Sequence, residues 1–524
     1  MADGLTLKVE AYGLDDRAHG RTTQGLVKSG ALRTHLGDAT HRLLRFELVE
    51  PQRKTEKPRP QDRYRATYYD YTANRAVHAE GKLGDTRGAV ASTSQEQPHP
   101  TPEEFRAAVA ILRRHKELGP LIRSGALQPY PPMPPLVAEA LPDGTVERTV
   151  AVGLLPVGRG KRKGHEIVGV NMIRRGVERY ESGAPHAARA DGGLCGVPFA
   201  ADQATTEQGV PGQAWVSVHQ GSTLLWRFLV VRPSASSGHS GSGVELRYVD
   251  YRGKRVLYQA HVPILNVRYD GDACGPYRDW QYQEGMIQAS GMNVAPGFLL
   301  CSKPAKTILD TGSDTGTFLG TAIYLDGEEV VLVCELEAGW YRYISEWRLH
   351  ANGTIRPRFA FDATSSSCVC TQHHHHVYWR LDFDIRHASN NTVREYNNPP
   401  VVPRARWHTL AREVMRMRSA AHRRSWRVVH EPSGDAYEIV PGPNDGTATG
   451  DPYAVGDLWA LRWHPGEIDD EPAPSTRIHV DTFKNGESIV KEDVVVWYGA
   501  HFTHDVTGPE VSHVVGPDLV PRNW

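Results

Sequence analysis

A chain of 524 residues is longer than one hydrophobic core usually organises, so roughly two to four domains are expected. Lysine plus arginine (60) balance aspartate plus glutamate (61) at a net charge of −1, which argues against a general binder of nucleic acid or anionic membrane. No apolar run approaches the roughly 18 residues of a membrane helix, and 50 glycines with 36 prolines favour a turn-rich sheet protein. The opening residues Met1–Gly4 lack a basic stretch followed by an apolar one, so a cytoplasmic location is the default expectation.

In chain order, residues 40–85 alternate apolar and polar in LLRFELVE and RYRATYYDYTANRAVHAEGKL, which predicts a small antiparallel sheet turning at Tyr71–Asn74. A Ser/Gln/Pro-rich connector (91–100) leads to Thr101-Pro102-Glu103-Glu104. There Thr101 can cap a helix, Pro102 suits its first turn and Glu104 can reach back as a capping box. Phe105, Val109, Leu112 and Leu118 fall on one face, to pack on a sheet of their own unit. Strands follow in ERTVAVGLLPV and EIVGVNMI, joined by the basic turn RGKRKG at 159–164, read as a solvated hairpin tip. From about residue 205 the signals are almost all strands, including VELRYVDYRGKRVLYQAHVPI, YRYISEWRLHANGTIRPRFAF and VYWRLDFDI. Their spacing predicts a large β-sandwich. Ser-Gly runs such as SASSGHSGSG (234–243) read as mobile hairpin tips, and one helix is expected at 405–422. The fold class is therefore mainly β: two small α+β domains (1–98 and 99–200) precede a β-sandwich catalytic domain (201–524).

The run His373–His376 opens the strongest of these strand signals. Alternate side chains of a strand share a face, so His373 and His375 point together while His374 and His376 point away. Two imidazoles on a rigid strand make half of a nitrogen-rich metal site, and the affinity order of such sites peaks at Cu²⁺. The third ligand is not readable from spacing. Six cysteines (195, 274, 301, 334, 368, 370) form no CxxC pair and are expected as buried free thiols. Cys368 and Cys370, just before the histidines, could alternatively offer soft thiolates to Cu(I) during loading.

The stretch HHHHVYWRLDFDI resembles the HxH-x(4)-RLDxD segment of the copper amine oxidases, the topaquinone enzymes. LWALRWHPGE (458–467) is similar to that family's YHPGE-like strand end, SWRVVHEPSGDAYEIVPG (425–442) to the segment before it, and VVVWYGAHFTH (494–504) to the segment closing on the third copper histidine. The resemblance implies copper ligands His373, His375 and His504. It also implies a calcium-like site from Asp382, Asp384, Asp493 and the carbonyls of Phe383 and Val494, oxygen donors that suit Ca²⁺. The family's quinone precursor falls on Tyr341, with Tyr343 as the second tyrosine of that motif. The flanking residues depart from the pattern: Trp340 stands for an asparagine and Arg342 for an acid, a cation beside the ring.

For the remaining roles the resemblance implies Tyr269 as the tyrosine bonding a quinone oxygen, Tyr282 as a gate and Glu284 as the proton-abstracting base, with Asp279 as its rival. The activity implied is oxidation of a primary amine by O₂ to an aldehyde, ammonia and H₂O₂ in a homodimer. Two other readings keep the copper: oxidation of a pathway-specific substrate without a standard quinone, and a non-catalytic copper-binding relative.

Overall fold

The computed structural model describes residues 4–524 except 14–15, 50–53, 55–62, 133–134, 138–140, 142–143, 158–165, 181–194, 201–211, 239, 271–273, 275–276, 367, 451, 471–476 and 505–512. Two large sheets dominate. The first runs Leu5–Tyr12, Gln213–Gln220, Thr223–Val231, Glu245–Tyr251, Lys254–Tyr269, His373–Phe383, Val494–His504, Leu458–Arg462 and Val414–Arg416. The second carries Glu329–Ala338, Tyr341–His350 and Ile355–Ala363 side by side. One apolar cluster joins the facing sides: Val377, Trp379 and Leu381 from the first sheet, Leu336, Tyr341, Tyr343 and Trp347 from the second. This is the expected sandwich, mainly β in class. Its first strand comes from the N-terminus, since Leu5–Tyr12 pairs antiparallel with Gln213–Gln220.

Period-two alternation decides what each strand sends inward. In His373–Phe383 the odd positions from Val377 to Phe383 enter the shared core, while Tyr378 packs on the outer face with Trp459 and Trp497. In Tyr341–His350, Tyr341 and Tyr343 face the core, whereas Ile344 joins a second cluster with Ile308 and Val333 on the outer side.

The small units follow the expected hairpins. Arg63–Asp70 and Arg75–Lys82 pair across the 71–74 turn, and Pro102–Leu112 is a helix capped by the Thr101 side chain. Glu104 does not close the capping box. Its carboxylate is fully buried, accepting from Arg148 Nε and Nη2 at 2.9 and 2.6 Å and from the Tyr71 hydroxyl at 2.7 Å. A buried guanidinium outcompetes a single neutral backbone N–H for a carboxylate, so this glutamate joins the two small units. Helices at Asp16–Val27 and Gly30–Leu36 were not anticipated.

Residues 405–422 are not helical. They form the short strands Trp407–Thr409 and Val414–Arg416, the latter completing the first sheet against Leu458–Arg462. The Ser-Gly run is no mobile tip either: Ser236, Ser240 and Ser242 are buried, and the Ser236 hydroxyl accepts from the Ser242 amide at 2.7 Å. The RGKRKG turn lies outside the described residues. Among the described residues, no helix is long and apolar enough to cross a membrane.

Replacing Glu104 with alanine is expected to lower the unfolding free energy by about 3–5 kcal/mol, because it strands a buried arginine. Arg106→Ala, which breaks the exposed pair with Glu103, should change it by less than about 1 kcal/mol. Urea denaturation of both variants checks the contrast.

Candidate active site

Three neighbouring strands set one row of side chains: Tyr269 lies opposite His373, and His373 opposite His504. His373 Nε2 and His504 Nδ1 stand 3.2 Å apart. Two nitrogens at about 2.0–2.1 Å from one ion have about this separation. His373 Nδ1 meets the Thr371 carbonyl at 2.5 Å, which orients the ring and leaves Nε2 for the site. His375 shares the face, as the alternation predicts, with its ring 5.0 Å from that of His373 and between Phe361 and Phe502. His374 turns outward to Asp270 and Thr503. His376 is buried on the opposite face against His501.

The donor chemistry fits copper, with three imidazoles closed in by aromatic rings. His373 and His504 converge, but among the described residues the three histidines do not bring their ligand nitrogens all within 4.8 Å of one another.

The second sheet lays two tyrosines on this row. The Tyr341 hydroxyl hydrogen-bonds His373 Nε2, and its ring contacts His375 edge-on at 4.8 Å. Tyr343 stacks on Tyr341 at 5.4 Å, and its hydroxyl lies 3.3 Å from His375 Nδ1. Tyr269 hydrogen-bonds Tyr341 as well and accepts from Trp340 Nε1 at 2.9 Å. Trp340, standing where the resemblance has an asparagine, therefore still serves the site through its one N–H. Burial pushes the Tyr269 and Tyr343 hydroxyls well above the usual phenol range.

The two candidate bases differ sharply. Asp279 is buried and accepts from the Tyr343 hydroxyl. Loss of water lifts its carboxyl to about 7, against the lowering effect of that bond. Its own amide donates to the Leu265 carbonyl at 2.8 Å. Glu284 is also buried but is gripped by Arg232, through Nε at 3.0 Å and through Nη2. Tyr282 stacks near Trp280 and His99 and lines a cavity of about 390 Å³, whose walls include Glu47, Glu96, Ser237 and Asp469.

Arg342 is not beside the tyrosine ring. Alternation sends it to the outer face of the second sheet, where it binds Asp314 through two contacts of 2.7 and 3.1 Å. It also donates to the carbonyls of Gly339 and Tyr341, which holds the turn before Tyr341. Sequence reasoning missed the buried carboxylates around it. Desolvation lifts Glu335 to about 8 and Glu337 to about 7.

Four cysteines are not free thiols. Cys195 pairs with Cys370 and Cys274 with Cys368, leaving Cys301 and Cys334 reduced and buried. Cys368 and Cys370 therefore offer no thiolate for Cu(I). Both bonds anchor the turn just before His373, one of them to the segment between Tyr269 and Asp279. The acidic group predicted at the strand's far end does assemble: ligand oxygens of Asp382, Asp384 and Asp493 lie within 4.8 Å of one another. A cation already stands among them, the ammonium of Lys54.

No family model matches the sequence, and no curated protein matches it. Solved structures do share its fold. An Aspergillus nidulans amine oxidase aligns with a TM-score of 0.57 at 15% identity over 98% of this chain and 88% of its own. A Pichia pastoris lysyl oxidase gives 0.56 at 11% over 100% and 92%, and a copper-containing benzylamine oxidase from Hansenula polymorpha gives 0.56 at 12% over 99% and 93%. The chain thus has the amine oxidase fold.

Thiol titration of the unfolded, unreduced protein should find two reactive cysteines, Cys301 and Cys334. Peptide mapping should recover Cys195 with Cys370 and Cys274 with Cys368; finding all six thiols free would contradict the pairing.

Proposed function

We propose that this chain is a copper-dependent oxidase that deaminates a primary amine with O₂. The observation that carries the reading is the Tyr341 hydroxyl on His373, enclosed between the sheets with the Tyr343–Asp279 pair beside it. In this reading His373, His375 and His504 would hold the copper. With copper bound and Tyr341 converted to the quinone that the resemblance implies, the site would supply a two-electron oxidation of the amine, water then giving the aldehyde its oxygen and releasing ammonia while O₂ is reduced to H₂O₂.

The chain's own groups then take definite parts. Asp279 is the proton acceptor for the substrate carbon, in preference to Glu284. A carboxyl near neutrality is matched to moving a proton at physiological pH, whereas the Arg232 ion pair commits Glu284 to structure. Tyr343 holds Asp279 through its hydroxyl and stacks on Tyr341, so base and cofactor position move as one unit. Trp340 orients Tyr269, which bonds the Tyr341 oxygen. Phe361, Phe502 and Trp340 exclude water from this enclosure, which strengthens every polar contact within it. The cavity at Tyr282 and His99 is the amine's way in, with Tyr282 as its gate. A homodimer belongs to the same reading. The two disulfides favour assembly in an oxidising compartment over the cytoplasm, and the acidic site, already holding Lys54, has no calcium role in the reaction.

Two outcomes test this. Copper loading in air should add oxygen to one tyrosine by intact mass and make the Tyr341 peptide reactive to phenylhydrazine; full copper occupancy with an unmodified Tyr341 would sink the quinone. Because the base works ionised, kcat/KM for an amine should rise as pH increases through about 7. Asp279→Asn should remove that limb and cut the rate by about a hundredfold or more. Loss of turnover in folded Glu284→Gln, with Asp279→Asn active, would reverse the assignment.

A further inference from the structure

We propose that Lys54 is a built-in replacement for the second, calcium-type metal ion, and that it staples together the two strands carrying the histidines. The inference stands independently of the oxidase reading. Lys54 Nζ lies 2.5 Å from Asp382 Oδ1, 2.8 Å from Asp384 Oδ1 and 2.5 Å from Asp493 Oδ1. An ammonium has three N–H donors and no acceptor, and here each donor meets a different carboxylate. The side chain is only 7% exposed, with its charge also 5.2 Å and 5.3 Å from the ring centres of Tyr258 and Trp463, distances at which aromatic faces attract a cation.

Calcium does not fit alongside it. That ion needs six to eight oxygens at about 2.3–2.6 Å, and the point toward which these three carboxylates aim is filled by nitrogen. A second cation from within the chain adds to the first: Arg380 Nη1 comes to 3.6 Å from the other oxygen of Asp382. The carboxylates that would bind a divalent ion from solution are instead served by two side chains.

Placement gives the lysine its structural consequence. Asp382 and Asp384 lie at the end of His373–Phe383, and Asp493 immediately precedes Val494–His504. These ends are neighbours, because Phe383 pairs with Val494. One ammonium therefore ties both histidine-bearing strands at a point about 30 Å along the strand from His373. Lys54 reaches them from the N-terminal unit, just ahead of the Arg63–Asp70 strand. A metal would give the same cross-link only in proportion to its free concentration; a lysine gives it at all times.

The test is calcium binding and its effect on stability in the full-length protein. Wild type stripped with EGTA and then equilibrated with CaCl₂ and desalted should hold no stoichiometric calcium by elemental analysis, and its Tm should not move with millimolar CaCl₂. Lys54→Ala should melt lower than wild type and recover on adding CaCl₂, with half-saturating calcium at least about tenfold below any seen for wild type, as expected for a carboxylate site freed of its cation. The wild-type arm stands even where the variant does not fold. One calcium per wild-type chain, lost in Asp382→Asn, would overturn the proposal, as would a folded Lys54→Ala with unchanged Tm and no calcium response.

Discussion

The pleat of one strand governs the arrangement. His373–Phe383 turns His373 and His375 toward the second sheet and sends His376, Tyr378 and Asp382 to the opposite face. A slip of one residue would exchange the two sets. Register is held from both sides, by Lys254–Tyr269 and by Val494–His504, and at the start by two disulfides closing on Cys368 and Cys370. Tyr269 and His504 enter the row only because they pair with the same residue, His373. The second sheet obeys the same rule, placing Tyr341 and Tyr343 inward and Arg342 outward.

Buried charge is the second organising constraint. Desolvating a charge is tolerable when a partner comes with it, and the interior largely follows that rule: Arg148 with Glu104, Arg232 with Glu284, Arg342 with Asp314, Lys54 with its aspartates. Asp279 departs from it. Its bond from the neutral Tyr343 hydroxyl offsets only part of the desolvation, so its proton affinity moves toward neutrality. That contrast separates a group able to exchange protons from one fixed in an ion pair, although both are buried carboxylates five residues apart.

The sandwich, the hairpin at 71–74 and the shared face of His373 and His375 were readable because period-two alternation is local. The position of His504 beside His373 followed from a family motif and not from alternation. What escaped was long-range. The partners of Cys195 and Cys274 lie 175 and 94 residues away, beyond any spacing rule. Lys54 sits 328 residues before Asp382 in a stretch of ordinary charged composition. Residues 405–422 carried helical periodicity, but pairing with Leu458–Arg462 overrode it, a case of tertiary contact outweighing local propensity. Arg342 was misread because the neighbour of a site residue in a strand faces away from the site.

The most direct measurement is continuous-wave and pulsed electron paramagnetic resonance of the protein loaded with one Cu²⁺. The account predicts a single copper species coupled to imidazole nitrogens, lost or altered in His373→Ala, His375→Ala and His504→Ala and unchanged in His376→Ala. Copper that ignores the first three substitutions and responds instead to His376 or His501 would place the metal on the wrong face of the strand and contradict it.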